Sequence, residues 1–245
     1  MDFSKIDILL KQLQSKRPLT SAELKRLREE FMVEHTYHSN AIEGNTLTLR
    51  ETALILQEGI TIAEKPIKEH LEVIGYRDAF EYVVSLVDAK SQLTESVVRQ
   101  IHSLVLMDNA ANRGVYRTVP VRILGANHEP PQPYLVAPQM EALLLDYEER
   151  KQSVHLIEAA AEFHLRFEGI HPFIDGNGRT GRLILNFELM KAGFLPVNIK
   201  FSDRRKYYDC FDAYHRESSA VEPLANLIAA YEEEELQRYL DILTI

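Results

Sequence analysis

The chain has 245 residues, 45% of them hydrophobic and 27% charged, which suits one large domain, or a domain with a small helical extension, of ordinary globular composition. Its formal charge of −9 argues against a nucleic-acid partner, and the short run Arg204, Arg205, Lys206 is too small to reverse that. Cys210 is the single cysteine, which excludes an intrachain disulfide and a thiolate metal cage.

In chain order the pattern is helical nearly throughout. The opening MDFSKIDILLKQLQSK is interrupted by charge and has no apolar signal core, and no window is apolar for long enough to cross a bilayer. A cytoplasmic protein without membrane partners is the expectation. The first 35 residues carry no recognisable chemistry and read as a partner-binding helix or a cap on the core. Thr20 with Glu23, and Thr48 with Glu51, are capping boxes that open helices. The first helix carries Leu24, Leu27 and Phe31 on one face and runs toward Glu43; the second ends near Gly59. Beyond Pro66, Leu71, Ile74, Ala79, Tyr82 and Leu86 recur at helical spacing, and Val97, Ile101, Leu104 and Val105 mark another helix.

The stretch 112–138 breaks the pattern with two glycines, five prolines and the β-prone run Val119 to Leu124. It reads as a loop carrying a short hairpin. Helical periodicity returns at Leu156, Ala160, Phe163, Phe167 and Ile170, breaks at His171 and resumes from about Arg179 to Ala192, where Gly193 and Pro196 stop it. Two further helices are expected over 202–217 and 221–241, with Glu232 to Glu235 as a solvated acidic face.

The chemistry gathers in His171-Pro-Phe-Ile-Asp-Gly-Asn-Gly-Arg-Thr-Gly-Arg182. Gly176 and Gly178 permit tight turns and close approach of amides to a ligand. The helix that follows offers free N–H groups and the positive end of its dipole, which suits an anion. Arg179 and Arg182, three apart, point toward the same anion as donors to phosphate oxygens. Asp175 adds a hard oxygen for Mg²⁺ bound with nucleotide phosphates. His171 supplies a base that titrates near neutrality. Together these define phosphoryl or nucleotidyl transfer. An EF-hand is excluded because Asn186 stands where its bidentate Glu belongs, and a P-loop because no Gly-Lys-Ser/Thr follows.

This stretch resembles the Fic signature, His-x-Phe-x-Asp/Glu-Gly-Asn-Gly-Arg-x-x-Arg, at every fixed position. Ala160, Ala161, His164, Phe167 and Ile170 before it, and Gly114, Tyr116 and Arg117 further upstream, extend the resemblance over about 36–230. It implies an all-α Fic fold: a helical bundle with a small β-hairpin flap over the active site. Residues 1–92 would form an N-terminal helical region, 93–200 the core, and 201–245 C-terminal helices packed on it. By the same resemblance, His171 deprotonates a hydroxyl of a target protein (Ser, Thr or Tyr), which attacks the α-phosphate of ATP. Asp175 holds Mg²⁺. Asn177, with the amides of Gly176 and Gly178, cradles the phosphates, and Arg179 and Arg182 bind the β- and γ-phosphates. Tyr208 lies near the adenine, where His215 replaces an Asn common in relatives. The flap, through Thr118, Val119, Val121, Ile123 and Leu124, aligns the target by main-chain bonding.

A second segment, Ser39-Asn-Ala-Ile-Glu43-Gly-Asn45, places Ser39 and Glu43 one turn apart, with Gly44 able to end the helix. A carboxylate at a helix C-terminus stands against the dipole and wants a cation. The segment resembles the inhibitory motif Ser/Thr-x-x-x-Glu-Gly/Asn of Fic proteins, by which Glu43 pairs with Arg182 and takes the space of the γ-phosphate. The resemblance therefore implies an autoinhibited protein adenylyltransferase, with a homodimer expected. Two alternatives remain open on the same residues: removal of AMP or transfer of another phosphate-containing group, and a nucleotide-sensing regulator without catalysis.

Overall fold

Residues 1–243, apart from 19, 124, 126, 127 and 217–219, are described by a computed structural model. Helix α1 (Ser4–Ser15) is followed by α2 (Ser21–Ile42), opened by both halves of the Thr20/Glu23 capping box. The Thr48/Glu51 box opens α3 (Leu49–Ala53), which continues as one π-helical turn, Leu54–Glu58, and stops at left-handed Gly59. Then come α4 (Ile67–Asp88), α5 (Glu95–Val105), α6 (Val136–Arg150), α7 (Leu156–Ile170), α8 (Asn177–Lys191), α9 (Arg204–Arg216) and α10 (Glu222–Ile242).

The sequence reading leaves 139–155 unassigned, and α6 fills most of it. Pro138 conceals its start, because a proline in the first helical turn forfeits no intrahelical bond. The expected hairpin is not seen among the described residues: they contain no strand, and those between 115 and 132 lie in neither helix nor sheet up to a short 3₁₀ turn at Pro133–Leu135. Leu124 of the flap, and Glu217 at the expected end of α9, lie outside the described residues.

Two apolar clusters share α7 and α8 as their common layer. Phe163, Phe167, Leu183, Ile184 and Phe187 pack with α4, α5 and α6 on one side. Leu165, Leu185 and Leu189 pack with α1 and α10 on the other, through Phe3, Ile6, Leu9, Ile228 and Leu236. Helix α1 is thus a cap on the core. The acidic run at 232–235 departs from expectation: Glu232 is 0% exposed, and its Oε1 accepts from the Leu195 amide at 2.9 Å. Burial, with the neighbouring Glu235 charge adding to it, pushes its carboxyl up to about 8 against the Leu195 bond.

Candidate active site

The loop between α7 and α8 is held from three sides. His171 closes α7 as its C-cap in the left-handed region, φ 50°, which a non-glycine residue adopts only when its surroundings impose it. Its amide still reaches the Phe167 carbonyl at 3.0 Å, so the ring leaves the helix axis while the backbone stays tied to it. Arg117, buried, donates from Nε to the His171 carbonyl at 2.8 Å and from Nη1 to Val119 at 3.2 Å, joining the loop to the 118–123 arm. His102 on α5 accepts from the Gly114 amide at Nδ1 (2.8 Å) and donates from Nε2 to the Asp175 carbonyl (2.9 Å). Its ring lies flat on Phe173, centroids 3.6 Å apart, and burial drives its pKa down to about 4, so it works as a neutral strap. Sequence periodicity placed neither His102 nor the strapping role of Arg117; both act through backbone carbonyls, which leave no spacing signature.

Asn177 differs from expectation. Its carboxamide accepts from the Phe173 amide and donates to the Phe173 carbonyl, both at 2.9 Å, within the loop. The side chain therefore braces the turn, and what Asn177 offers an anion is its backbone N–H in the first turn of α8. Gly176, φ 76°, is the left-handed N-cap of that helix, and its own amide is taken by Asp175 Oδ1 at 2.6 Å. At Gly178 a Cβ would overlap Oε1 of Glu43, so any side chain there would force the Glu43 carboxylate out of its place beside Arg182.

The two arginines are differently held. Arg179 is 2% exposed, with Glu72 Oε1 of α4 at 3.4 Å from Nη1 and Asp175 Oδ1 at 3.4 Å from Nη2. Arg182 donates from Nη2 to Glu43 Oε1 at 2.7 Å and to the Ser39 carbonyl at 2.9 Å, and from Nε to Ser39 Oγ at 2.8 Å. The pairing expected from the second motif is therefore present as geometry. Burial works against the Arg182 charge, but Glu43 beside it holds the net shift upward. Helix α2 is registered for this contact by a buried relay: His35 donates from Nδ1 to Asn198 (2.8 Å) and accepts at Nε2 from Tyr76 (2.9 Å) and Asn186 (3.2 Å).

Glu43, His171, Gly178 and Arg182 line one cavity of about 350 Å³. Its other wall is made by Tyr208, Phe211 and His215 of α9 with Ile123 and His128 of the flap. The Tyr208 hydroxyl donates to the Ile42 carbonyl at 3.3 Å, whereas Tyr207 is buried behind it. Of the other flap residues, Thr118 and Val119 are exposed and Val121 is half-buried. His171 Nδ1 faces the Glu168 carbonyl at 3.3 Å. A carbonyl only accepts, so Nδ1 carries the proton and Nε2 is left as the free base; this tautomer is assigned from its partner. Burial lowers the imidazole pKa, which keeps it neutral near pH 7. Asp175 has a half-exposed carboxylate (48%) with Lys68 Nζ 3.8 Å from Oδ2. Among the described residues no cluster of three or more His, Cys, Asp or Glu is arranged around a metal. A cation at Asp175 would have one protein carboxylate and otherwise the oxygens of a ligand, a donor set that fits Mg²⁺ bound with nucleotide phosphates.

The helical fold thus brings a neutral imidazole, a helix N-terminus and a buried arginine to one cavity. Comparison with known proteins gives the family. The Fic/DOC family model matches residues 92–189. A protein adenylyltransferase Fic of Nematostella vectensis is 39% identical over 93% of this chain and 53% of its own length. The Drosophila persimilis protein of the same name is 36% identical over 94% and 46%. A Fic domain containing signaling protein from Bacteroides thetaiotaomicron superposes with a TM-score of 0.88 at 28% identity, over 99% of this chain and 96% of that one. Fic-1 from C. elegans gives 0.84 at 31% identity, over 98% and 70%. The chain belongs to the Fic/DOC family. It spans about half the length of the curated relatives it matches.

Proposed function

We propose that the chain is a protein adenylyltransferase that moves AMP from ATP to a hydroxyl side chain of a protein, and that Glu43 restrains it. The observation that carries this reading is the shared cavity: the free Nε2 edge of His171 and the cationic Arg182 border the same space, with Glu43 standing between them. The curated relatives named protein adenylyltransferase support it.

In the step proposed, His171 Nε2 takes the hydroxyl proton while the hydroxyl oxygen bonds to the α-phosphorus, and the bond to the β-phosphate oxygen breaks, releasing pyrophosphate. Arg182 and the first-turn amides of α8 hold the triphosphate and meet the charge that develops on it. Arg179, pinned by Glu72, keeps its cation beside the loop. Mg²⁺ on Asp175 would supply neutralisation of phosphate charge. The partly exposed arm at 118–123, which lies in no sheet, offers backbone to a target segment. Glu43 occupies the Arg182 fork, so a triphosphate must displace it or settle in a pose unsuited to in-line attack.

Mass spectrometry after incubation with ATP and Mg²⁺ tests the reading. Glu43→Gly is expected to gain AMP adducts well above wild type. His171→Ala in that background should lose them by about 10²–10⁴-fold while still binding ATP. An added mass other than AMP, or none in any variant, refutes it.

A further inference from the structure

One half-buried carboxyl near the base, on the lining of the same cavity, is left without a task by this mechanism. Glu168 stands one turn before His171 on α7, and its Oε2 lies 4.0 Å from His171 Nδ1, on the same ring edge that its own carbonyl faces at 3.3 Å. Its Oε1 is buried and has no hydrogen-bond partner. Across from it, α8 leaves a gap: a Cβ on Gly181 would lie 2.6 Å from Glu168 Oε1 and 3.0 Å from His164 Nδ1, a second buried atom without a hydrogen-bond partner. The far nitrogen of that histidine, Nε2, meets the Tyr207 hydroxyl at 2.6 Å, and Tyr207 in turn accepts from Arg182 Nη1 at 3.5 Å. Polar groups thus stand in succession along the cavity, from the catalytic imidazole past Glu168, His164 and Tyr207 to the arginine that Glu43 holds, with the facing atoms of Glu168 and His164 unbonded.

We propose that Glu168 is a further positioning residue for the transfer step, setting the His171 imidazole from its Nδ1 edge; the inference rests on the adenylyl-transfer reading above. Burial and two facing elements dictate its charge. Burial disfavours the anion most, Glu43 at the end of α2 adds to that, and Arg182 on α8 only partly opposes them, so the carboxyl is pushed up to about 8 and stands as a neutral acid at pH 7. His164 on the same helix is held neutral by burial, and Tyr207 on α9 keeps its proton for the same reason. A neutral acid suits this place. It fixes the Nδ1 edge of the ring without adding negative charge to a site that must admit a triphosphate. Above its pKa the same group becomes an anion beside the phosphate seat.

The experiment uses the full chain in the Glu43→Gly background, with transfer of labelled AMP measured from pH 6 to 10. Glu168→Ala is expected to lower kcat about tenfold or more, a share of the 10²–10⁴-fold that a general base contributes, with KM for ATP moved far less. Glu168→Gln, which keeps the shape of the neutral acid, should lose less than Glu168→Ala. It should also abolish the alkaline fall in kcat/KM that Glu168 imposes, which comes at a lower pH in this background than in the Glu43 protein because the Glu43 charge that raises the carboxyl is gone. Nitrogen-15 NMR of His171 in the protein that keeps Glu43 gives a readout independent of turnover: a titration step near pH 8, absent in Glu168→Gln. Transfer by Glu43→Gly with kcat, pH profile and NMR step all indifferent to Glu168 overturns this inference alone. No transfer by Glu43→Gly overturns the adenylyl-transfer reading and the role of Glu168 in that step with it.

Discussion

At the scale of single residues the site is governed by what is missing at position 178. The absent side chain lets the Glu43 carboxylate lie against the first turn of α8 and reach Arg182. A methyl group there collides with the tip of a flexible side chain on one side and stands 3.1 Å from Arg182 Nη1 on the other. Gly178→Ala should therefore destabilise the protein by about 1–3 kcal/mol. The cost should shrink in the Glu43→Gly background, because the overlapped atoms are then gone; urea melts of the four proteins of this double-mutant cycle check it. Equal costs in the two backgrounds would mean that the strain lies elsewhere. Much of the site was legible at this scale. His171, Asp175, Gly176, Gly178, Arg179 and Arg182 are residue types whose chemistry is their signal, and their spacing brings them to one turn. Asn177 was readable as important but not in its part, since a carboxamide that bonds to a phosphate and one that bonds to the backbone look the same in a sequence.

At the scale of elements, legibility followed local signals. The two capping boxes placed α2 and α3 because the bonds that open those helices lie within four residues. Helix α6 escaped because its proline-containing first turn continues a proline-rich loop, and the flap was read as a hairpin because Val119 to Leu124 is β-prone while no partner strand is dictated locally. Glu232 shows the same limit on α10: a run of four acids reads as solvated until the Leu195 amide is found above one of them. The folded-state carboxyl is raised to about 8 from an ordinary 4.5. Between those values the folded chain holds a proton that the unfolded chain has released, so stability falls as pH rises through that window. Glu232→Gln cannot lose that proton. Its stability relative to wild type should grow steadily from pH 4.5 to pH 8, as chemical denaturation at several pH values will report, and a difference independent of pH would contradict the assignment.

At the scale of the molecule, one apolar cluster draws on both ends of the chain, from Phe3 to Leu240, and meets the second along α7 and α8. Phe3 is buried and stacks on His155 with ring centroids 4.5 Å apart. Phe3→Ala should cost about 3 kcal/mol of stability. It should leave ATP affinity unaltered, because α1 contributes nothing to the cavity wall; a matched pair of denaturation and ligand titrations separates the two effects, and a weakened affinity would show that the cap reaches the site. The double packing of α8 has a further consequence. The arginine-bearing helix is clamped on both faces, whereas Glu43, whose side chain is 34% exposed, sits at the last turn of α2. On the restraint proposed for Glu43, its release would ask nothing of the catalytic half of the fold. One carboxylate would have to move aside, with Arg182 behind it already held in place, so onset should follow within the time of a side-chain or helix-end movement and without a lag for folding.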